Sequence, residues 1–374
     1  MLTSLGAGAV LLGGGAIIEA VVYGRGSIAA PLHGPHPVAY PSSPHLTHAQ
    51  QLAQSSDAQL RLLASYAKDG ADVHSMMLNL ALPNNAAQAK LYATNTAALL
   101  VDWNTYDVAP VIMLSPFGID LAKFGHGQYV DAIHTYFATL QTLKVAKLGT
   151  IVPFPSGNRL PYLIGSTGPE QFVANVNKVT DIIRQYYPRA EDAEISVQLS
   201  NPSYLSPAVD SASSSLGAFL PFVEGLRSGG GGVTSLIYSA FPWYPGATSF
   251  IDPDVVTGIT KAMDGVTAIV LSSGTWAKLV NPVTGTGGPA QFTVSEEQRK
   301  VWLIEGVLEP AEAVAAAGYT VSINILTQNN FKKGVTSSAT WGYNTPVQSR
   351  IFRNFIRRAA KHNIPVTIYD APND

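Results

Sequence analysis

The chain has 374 residues with 23 basic and 25 acidic side chains, a formal net charge of −2. Charged residues make up 13% and hydrophobic residues 46% of it; the charged share is about half that of an ordinary soluble domain, and the apolar share is enough for a large core. This balance excludes a nucleic-acid binder, which carries a basic stripe, and a disordered chain, which needs fewer apolar residues and more net charge; the absence of cysteine excludes disulfides, thiolate metal sites and a cysteine nucleophile.

Residues 2–24 form an almost unbroken apolar and glycine-rich run, broken by Glu19. About 20 apolar residues span a bilayer as a helix, and glycine is better tolerated there than in soluble helices. Glu19 would cost about 2–3 kcal/mol if it sat deep. A cleaved signal peptide is the rival reading, but no basic residues precede the run. Residues 2–24 are therefore expected to contact a membrane as an anchor or export segment, with a buried helix as the alternative. The protein is then extracellular or held at the cell surface. Residues 25–46 contain Pro31, Pro35, Pro37, Pro41 and Pro44, a density that favours an extended spacer. His33, His36, His45 and His48 lie in or beside it, in a spacing that matches no compact ligand pattern. Neither a metal nor a cofactor is expected.

From residue 47 onward, strand and helix patterns alternate. A helix is predicted over 47–68. Strands are predicted over 73–82, 111–114, 149–154, 195–199, 235–241, 267–271, 320–326 and 365–369. Helices are predicted between them over 85–100, 129–147, 169–187, 211–227, 253–263, 294–317 and 347–362. Strands separated by helices form parallel βαβ units in an α/β fold. The repeat predicts a (β/α)8 barrel occupying residues 47–374 as one domain. An open doubly wound sheet normally carries a glycine-rich turn after its first strand, whereas here the strand runs into Leu82-Pro83-Asn84-Asn85. The glycines at 229–232 follow a helix and precede a strand, so they read as a flexible connector. In the fourth strand Ile195, Val197 and Leu199 alternate with Ser196, Gln198 and Ser200. In the seventh, Val321, Ile323 and Ile325 alternate with Ser322 and Asn324. The polar rows are expected inside the barrel, where they either line a ligand site or satisfy one another.

The carboxyl ends of barrel strands carry the site. The predicted ends are rich in amides, hydroxyls and aromatics: Asn158, Arg159, Asn201, Tyr204, Trp243, Tyr244, Trp276 and Gln328, with Trp341 in the loop after strand seven. Flat aromatic faces beside amides suit a sugar ring, which stacks one face and hydrogen-bonds at its edge. No Gly-x-Ser-x-Gly elbow marks an esterase. Of the acids, Asp370 closes strand eight. Asp252 precedes Pro253 as an expected helix cap, Glu170 sits in a helix first turn, and Glu305, Glu309 and Glu312 recur at helical spacing as a solvated face.

Residues 150–202 read Pro155-Ser156-Gly157-Asn158, Tyr162, Thr167-Gly168-Pro169-Glu170-Gln171-Phe172, Asp181-Ile182-Ile183-Arg184 and Ser200-Asn201-Pro202. This order resembles the glycoside hydrolase family 26 group, which includes β-mannanases and related endoglycanases. The resemblance implies a barrel that acts on polysaccharides. It also implies a general-acid Glu in a His-Glu-Met-Asn strand end, where this chain has Ser156. A serine hydroxyl does not deliver a proton as a carboxylic acid does. The family's nucleophile is a Glu near a late strand end. Its candidate counterparts here, 272–275 and 327–330, hold no carboxylate. Glycoside cleavage usually needs two carboxyl groups. The expectation is a catalytically impaired barrel that binds a polysaccharide or cell-surface glycan. The alternatives are an active hydrolase using displaced acids such as Asp370, and a structural or protein-interaction barrel.

Overall fold

The computed structural model describes residues 75–105, 109–115, 124, 127–155, 157–159, 168–201, 214–240, 251–275, 278–280, 291–293, 295–328 and 346–371. The expected anchor (2–24), linker (25–46) and first helix (47–68) lie outside the described residues.

Eight parallel strands form one sheet in chain order: β1 (Ser75–Ala81), β2 (Ala109–Ser115), β3 (Gly149–Pro153), β4 (Ala193–Ser200), β5 (Ser235–Ser239), β6 (Ala268–Thr275), β9 (Thr320–Gln328) and β10 (Val366–Ala371). A short antiparallel pair, β7 (Lys278–Val280) with β8 (Gln291–Thr293), stands apart from it. All eight predicted strands are present. The sheet curls far enough that Cα atoms of its first and last strands come within 8 Å. Two ends differ from expectation. Residues 272–275 and 327–328 were predicted as loop but continue the ladder, with Ser272 opposite Asn324 and Thr275 opposite Thr327. Ladder bonds are made by the backbone, so polar side chains do not end them.

The helices are α1 (Ala86–Thr105), α2 (Gln128–Thr142), α3 (Pro169–Tyr186), α4 (Leu216–Phe219), α5 (Pro253–Ala262), α6 (Glu296–Leu303), α7 (Glu309–Ala316) and α8 (Pro346–Lys361). In α3, Phe172, Val173, Val176, Val179, Ile182 and Ile183 recur at helical spacing and are buried. Each such side chain contributes about 1.5–3 kcal/mol by leaving water. Asn85 caps α1 by accepting from the Gln88 amide at 2.9 Å, while the Gln88 side chain accepts from the Asn84 amide at 2.8 Å. This reciprocal pairing works like a capping box. Asp252 caps α5 as expected, accepting from the Asp254 amide at 2.9 Å.

Several helix predictions need correction. Only Leu216–Phe219 and a 3-10 turn over Leu220–Phe222 occupy the described part of the helix expected over 211–227. Pro221 lacks the N–H that would continue it, and Gly225 turns the chain at φ 83°. The helix over 129–147 stops at Thr142. Lys144 takes a left-handed φ of 59°, and the Val145 amide reaches back to the Leu140 carbonyl at 3.0 Å. The helix over 294–317 carries a π turn at Ile304–Leu308, just before Pro310, which has no N–H for the Gly306 carbonyl. The glycines at 229–232 form an ordered turn. The Gly229 amide bonds to the Val233 carbonyl at 2.9 Å and the Val233 amide to the Arg227 carbonyl at 2.8 Å. A Cβ at Gly232 would overlap the Arg227 carbonyl. Glu309 and Glu312 are ion-paired to Arg358 of α8 at 3.4 and 3.7 Å rather than purely solvated. Among the described residues, no helix is long and apolar enough to cross a membrane.

Candidate functional site

Residues paired across parallel strands point to the same face of a sheet. One row runs Leu199, Tyr238, Leu271, Ile323 and Val366 over five consecutive strands. All five are buried, and the Tyr238 ring lies against Phe219 of the α4 turn. This row therefore faces the helices. The register row one residue later along each strand is Ser200, Ser239, Ser272, Asn324 and Thr367. Strand alternation puts the side chains of Ser200, Ser239, Ser272 and Asn324 on the concave face. These four form an uninterrupted arc of three hydroxyls and one amide. Sequence alternation within β4 and β9 predicted part of it, but the continuation through Ser239 and Ser272 depends on register between strands.

Below the arc, the Ser196 and Ser235 hydroxyls meet at 2.7 Å, and Gln198 Nε2 donates to Ser239 Oγ at 2.7 Å. Among the described strands, the concave rows contain a single carboxylate, Glu194, which accepts from Thr150 Oγ1 at 2.8 Å. It lies at the amino-terminal end of β4, the end that serves stability in such folds. Sequence reading passed over it because it precedes the predicted strand 195–199.

At the carboxyl ends, Asn158 and Asn201 are brought close together through β4. Gly157 packs against Phe172, and any side chain there would overlap the ring. This close approach seats the 3-10 turn Gly157–Arg159 against α3. From the turn, Asn158 Nδ2 donates to the Ser200 carbonyl at 2.7 Å, and its Oδ1 accepts from the Ser200 amide at 2.8 Å. The side chain thus works as a strand substitute at the end of β4. Asn201 is buried, with its amide on the Ser239 carbonyl and its Oδ1 accepting from Ser214 Oγ, both at 2.8 Å. The buried Tyr238 hydroxyl lies beside Asn201 without a hydrogen bond of regular geometry. Burial pushes its pKa above the ordinary phenol range, and the nearby Asp252 carboxylate adds to the rise.

Gln328 ends β9 opposite Ala371. Asp370 stands opposite Thr327, in register with the Val366 and Ile368 row and not with Thr367. The side chains of Arg159, Gln328 and Asp370 fall outside the described residues, as do Ser156, Tyr204, Trp243, Tyr244, Trp276 and Trp341. At the opposite end of the sheet, Arg184 donates to the carbonyls of Ala193 (2.7 Å), Tyr187 (3.2 Å) and Gly232 (3.3 Å). It ties the entries of β4 and β5 together, and burial lowers its pKa. Among the described residues, no group of three or more His, Asp or Glu side chains could hold a metal ion.

No family model matches the chain, and no curated protein sequence matches it at a significant level. Solved structures do match. The apo structure of a beta-glucosidase 1317 aligns over 81% of this chain and 89% of its own, at 12% identity and a TM-score of 0.50. A beta-glucosidase from Thermotoga maritima in complex with castanospermine aligns over 85% and 88%, at 9% identity and a TM-score of 0.50. The chain has a glycosidase-like fold. At such identities the likeness concerns the backbone: a curled sheet of parallel strands wrapped by helices, similar to the barrels of those glycosidases. Chemically, the described arc can exchange hydrogen bonds with neutral hydroxyl groups. It contains no carboxylic acid to protonate a leaving group and no carboxylate nucleophile.

Proposed function

We propose that this protein is a glycoside-hydrolase-like (β/α)8 barrel that binds a polysaccharide or cell-surface glycan at the carboxyl ends of its strands and is impaired in hydrolysis. The carrying observation is the arc Ser200, Ser239, Ser272 and Asn324, in which four successive strands contribute hydroxyl or amide groups and no carboxylate. The approach of β1 to β10 supports closure of the barrel. The resemblance of residues 150–202 to family 26 supports the polysaccharide class, with Ser156 in the position of the acid. Trp243, Tyr244, Trp276, Tyr204 and Trp341 are the proposed stacking platforms, and Arg159 and Gln328 the proposed polar contacts. Asn158 and Asn201 frame the mouth by holding the end of β4. The same reading takes residues 2–24 as the membrane contact and places the barrel outside the cell.

Hydrolysis through Asp370 is the weaker reading, because its register sets it in the row of Val366 and Ile368. The test is affinity electrophoresis of the full chain in mild detergent, through gels containing mannan, β-glucan or xylan. At least one polysaccharide should retard the protein, and Trp243→Ala with Trp276→Ala should abolish the retardation. Equal mobility in all three gels would overturn the glycan reading.

A further inference from the structure

Two neighbours in the polar arc differ from the rest. Ser272 of β6 and Asn324 of β9 are register partners, only 9% and 6% exposed. Among the described residues, neither side chain makes a hydrogen bond. The surrounding polar side chains are engaged: Ser239 accepts from Gln198 at 2.7 Å, Ser273 donates to the Ala240 carbonyl at 2.6 Å, and Ser196 meets Ser235 at 2.7 Å. Neither polar group is sealed from solvent without a partner, so each can still be met by a group from outside the protein. The next register pair up this row is Gly274 with Leu326, and glycine leaves the β6 side of the column without a side chain.

We propose that Ser272 and Asn324 form a recognition subsite for a neutral hydroxyl group at the base of the mouth. The chemistry selects the ligand class. The pair offers donors and acceptors without formal charge, so neither an anion nor a cation finds a counter-charge there. The one carboxylate on the concave rows, Glu194, lies six residues below Ser200, about 20 Å along an extended strand. A sugar hydroxyl, which both donates and accepts, matches the pair. The subsite rests on the glycan reading above and assigns it two specificity residues deeper than the aromatic platform.

The test is isothermal titration of the full chain with mannohexaose, cellohexaose and xylohexaose, comparing wild type with Ser272→Ala and with Asn324→Leu, which keeps the bulk. The oligosaccharide that binds wild type should bind each variant about tenfold more weakly. The melting temperature should change little, because neither side chain makes a hydrogen bond that the change would remove. Unchanged affinity in a folded Ser272→Ala would overturn the subsite while leaving the glycan reading intact. A melting temperature lowered in both variants with affinity unchanged would show a purely structural pair, and overturns it too. If none of the three oligosaccharides binds wild type, the glycan reading itself fails and the subsite with it. Ser272→Ala removes a single oxygen, so the test stands even if Asn324→Leu does not fold.

Discussion

Replacing Asn158 by alanine removes both hydrogen bonds that hold the end of β4, at 2.7 and 2.8 Å. Each neutral hydrogen bond contributes about 1 kcal/mol net, and a buried group left without a partner costs about 1–3 kcal/mol. Ser200 is fully buried, so water cannot easily replace the lost partners. The expected loss is about 2–4 kcal/mol. Unfolding entropy of about 2 cal/mol/K per residue gives about 0.6 kcal/mol/K for a unit of roughly 300 residues, so the melting temperature should fall by about 3–7 °C. Differential scanning calorimetry of the full chain at neutral pH measures this directly. Asn158→Asp adds a check on sign. Its ionised carboxylate still accepts from the Ser200 amide but sets an oxygen against the Ser200 carbonyl, which raises its pKa in the folded state. The protonated form can donate to that carbonyl, so this variant should be closest to wild type below about pH 4 and lose ground as pH rises. Wild-type melting in Asn158→Ala together with lost oligosaccharide binding would refute the clamp and make the amide a ligand group.

Three further outcomes follow from the packing. Gly149 has φ +68°, and a Cβ there would overlap the Pro110 carbonyl, so Gly149→Ala should destabilise by more than ~2 kcal/mol and reduce soluble yield. Arg184→Met removes the donors to Ala193, Tyr187 and Gly232 and should lower the urea midpoint by an amount equivalent to about 2–3 kcal/mol, with an unchanged slope. Burial holds the phenol of Tyr92 up at about 12 and those of Tyr136, Tyr187 and Tyr238 higher still. A raised folded-state pKa contributes stability below about pH 10 that is lost as pH climbs past it. Ultraviolet titration should therefore show these four of the 16 tyrosines ionising only as the protein unfolds.

The fold was legible because its signals are local. Runs such as Ile195-Ser196-Val197-Gln198-Leu199 alternate with period two, and segments such as 169–187 with helical period. The failures occurred where a local break overrode a plausible pattern. Pro221 cut short the helix over 211–227, Pro310 accompanied a π turn, and Lys144 took a left-handed turn usually given to glycine. The three-residue strands β7 and β8 are too short to carry a period. At the candidate site, residue chemistry was legible and partnership was not. Asn158 looked like a ligand group at a strand end, yet its partner Ser200 is 42 positions away. The arc through Ser239, Ser272 and Asn324 depends on the offset between strands, which no single strand's pattern encodes.

The central claim is a polysaccharide-binding barrel without effective hydrolysis. The most direct measurement is reducing-end release by the full chain incubated with whichever of mannan, β-glucan or xylan retards it in the gel. The account predicts release no greater than in a protein-free control after prolonged incubation, because glycoside cleavage needs a carboxyl pair that the concave arc does not supply. Sustained release that disappears in Asp370→Asn would contradict it and identify an active glycosidase with displaced acids.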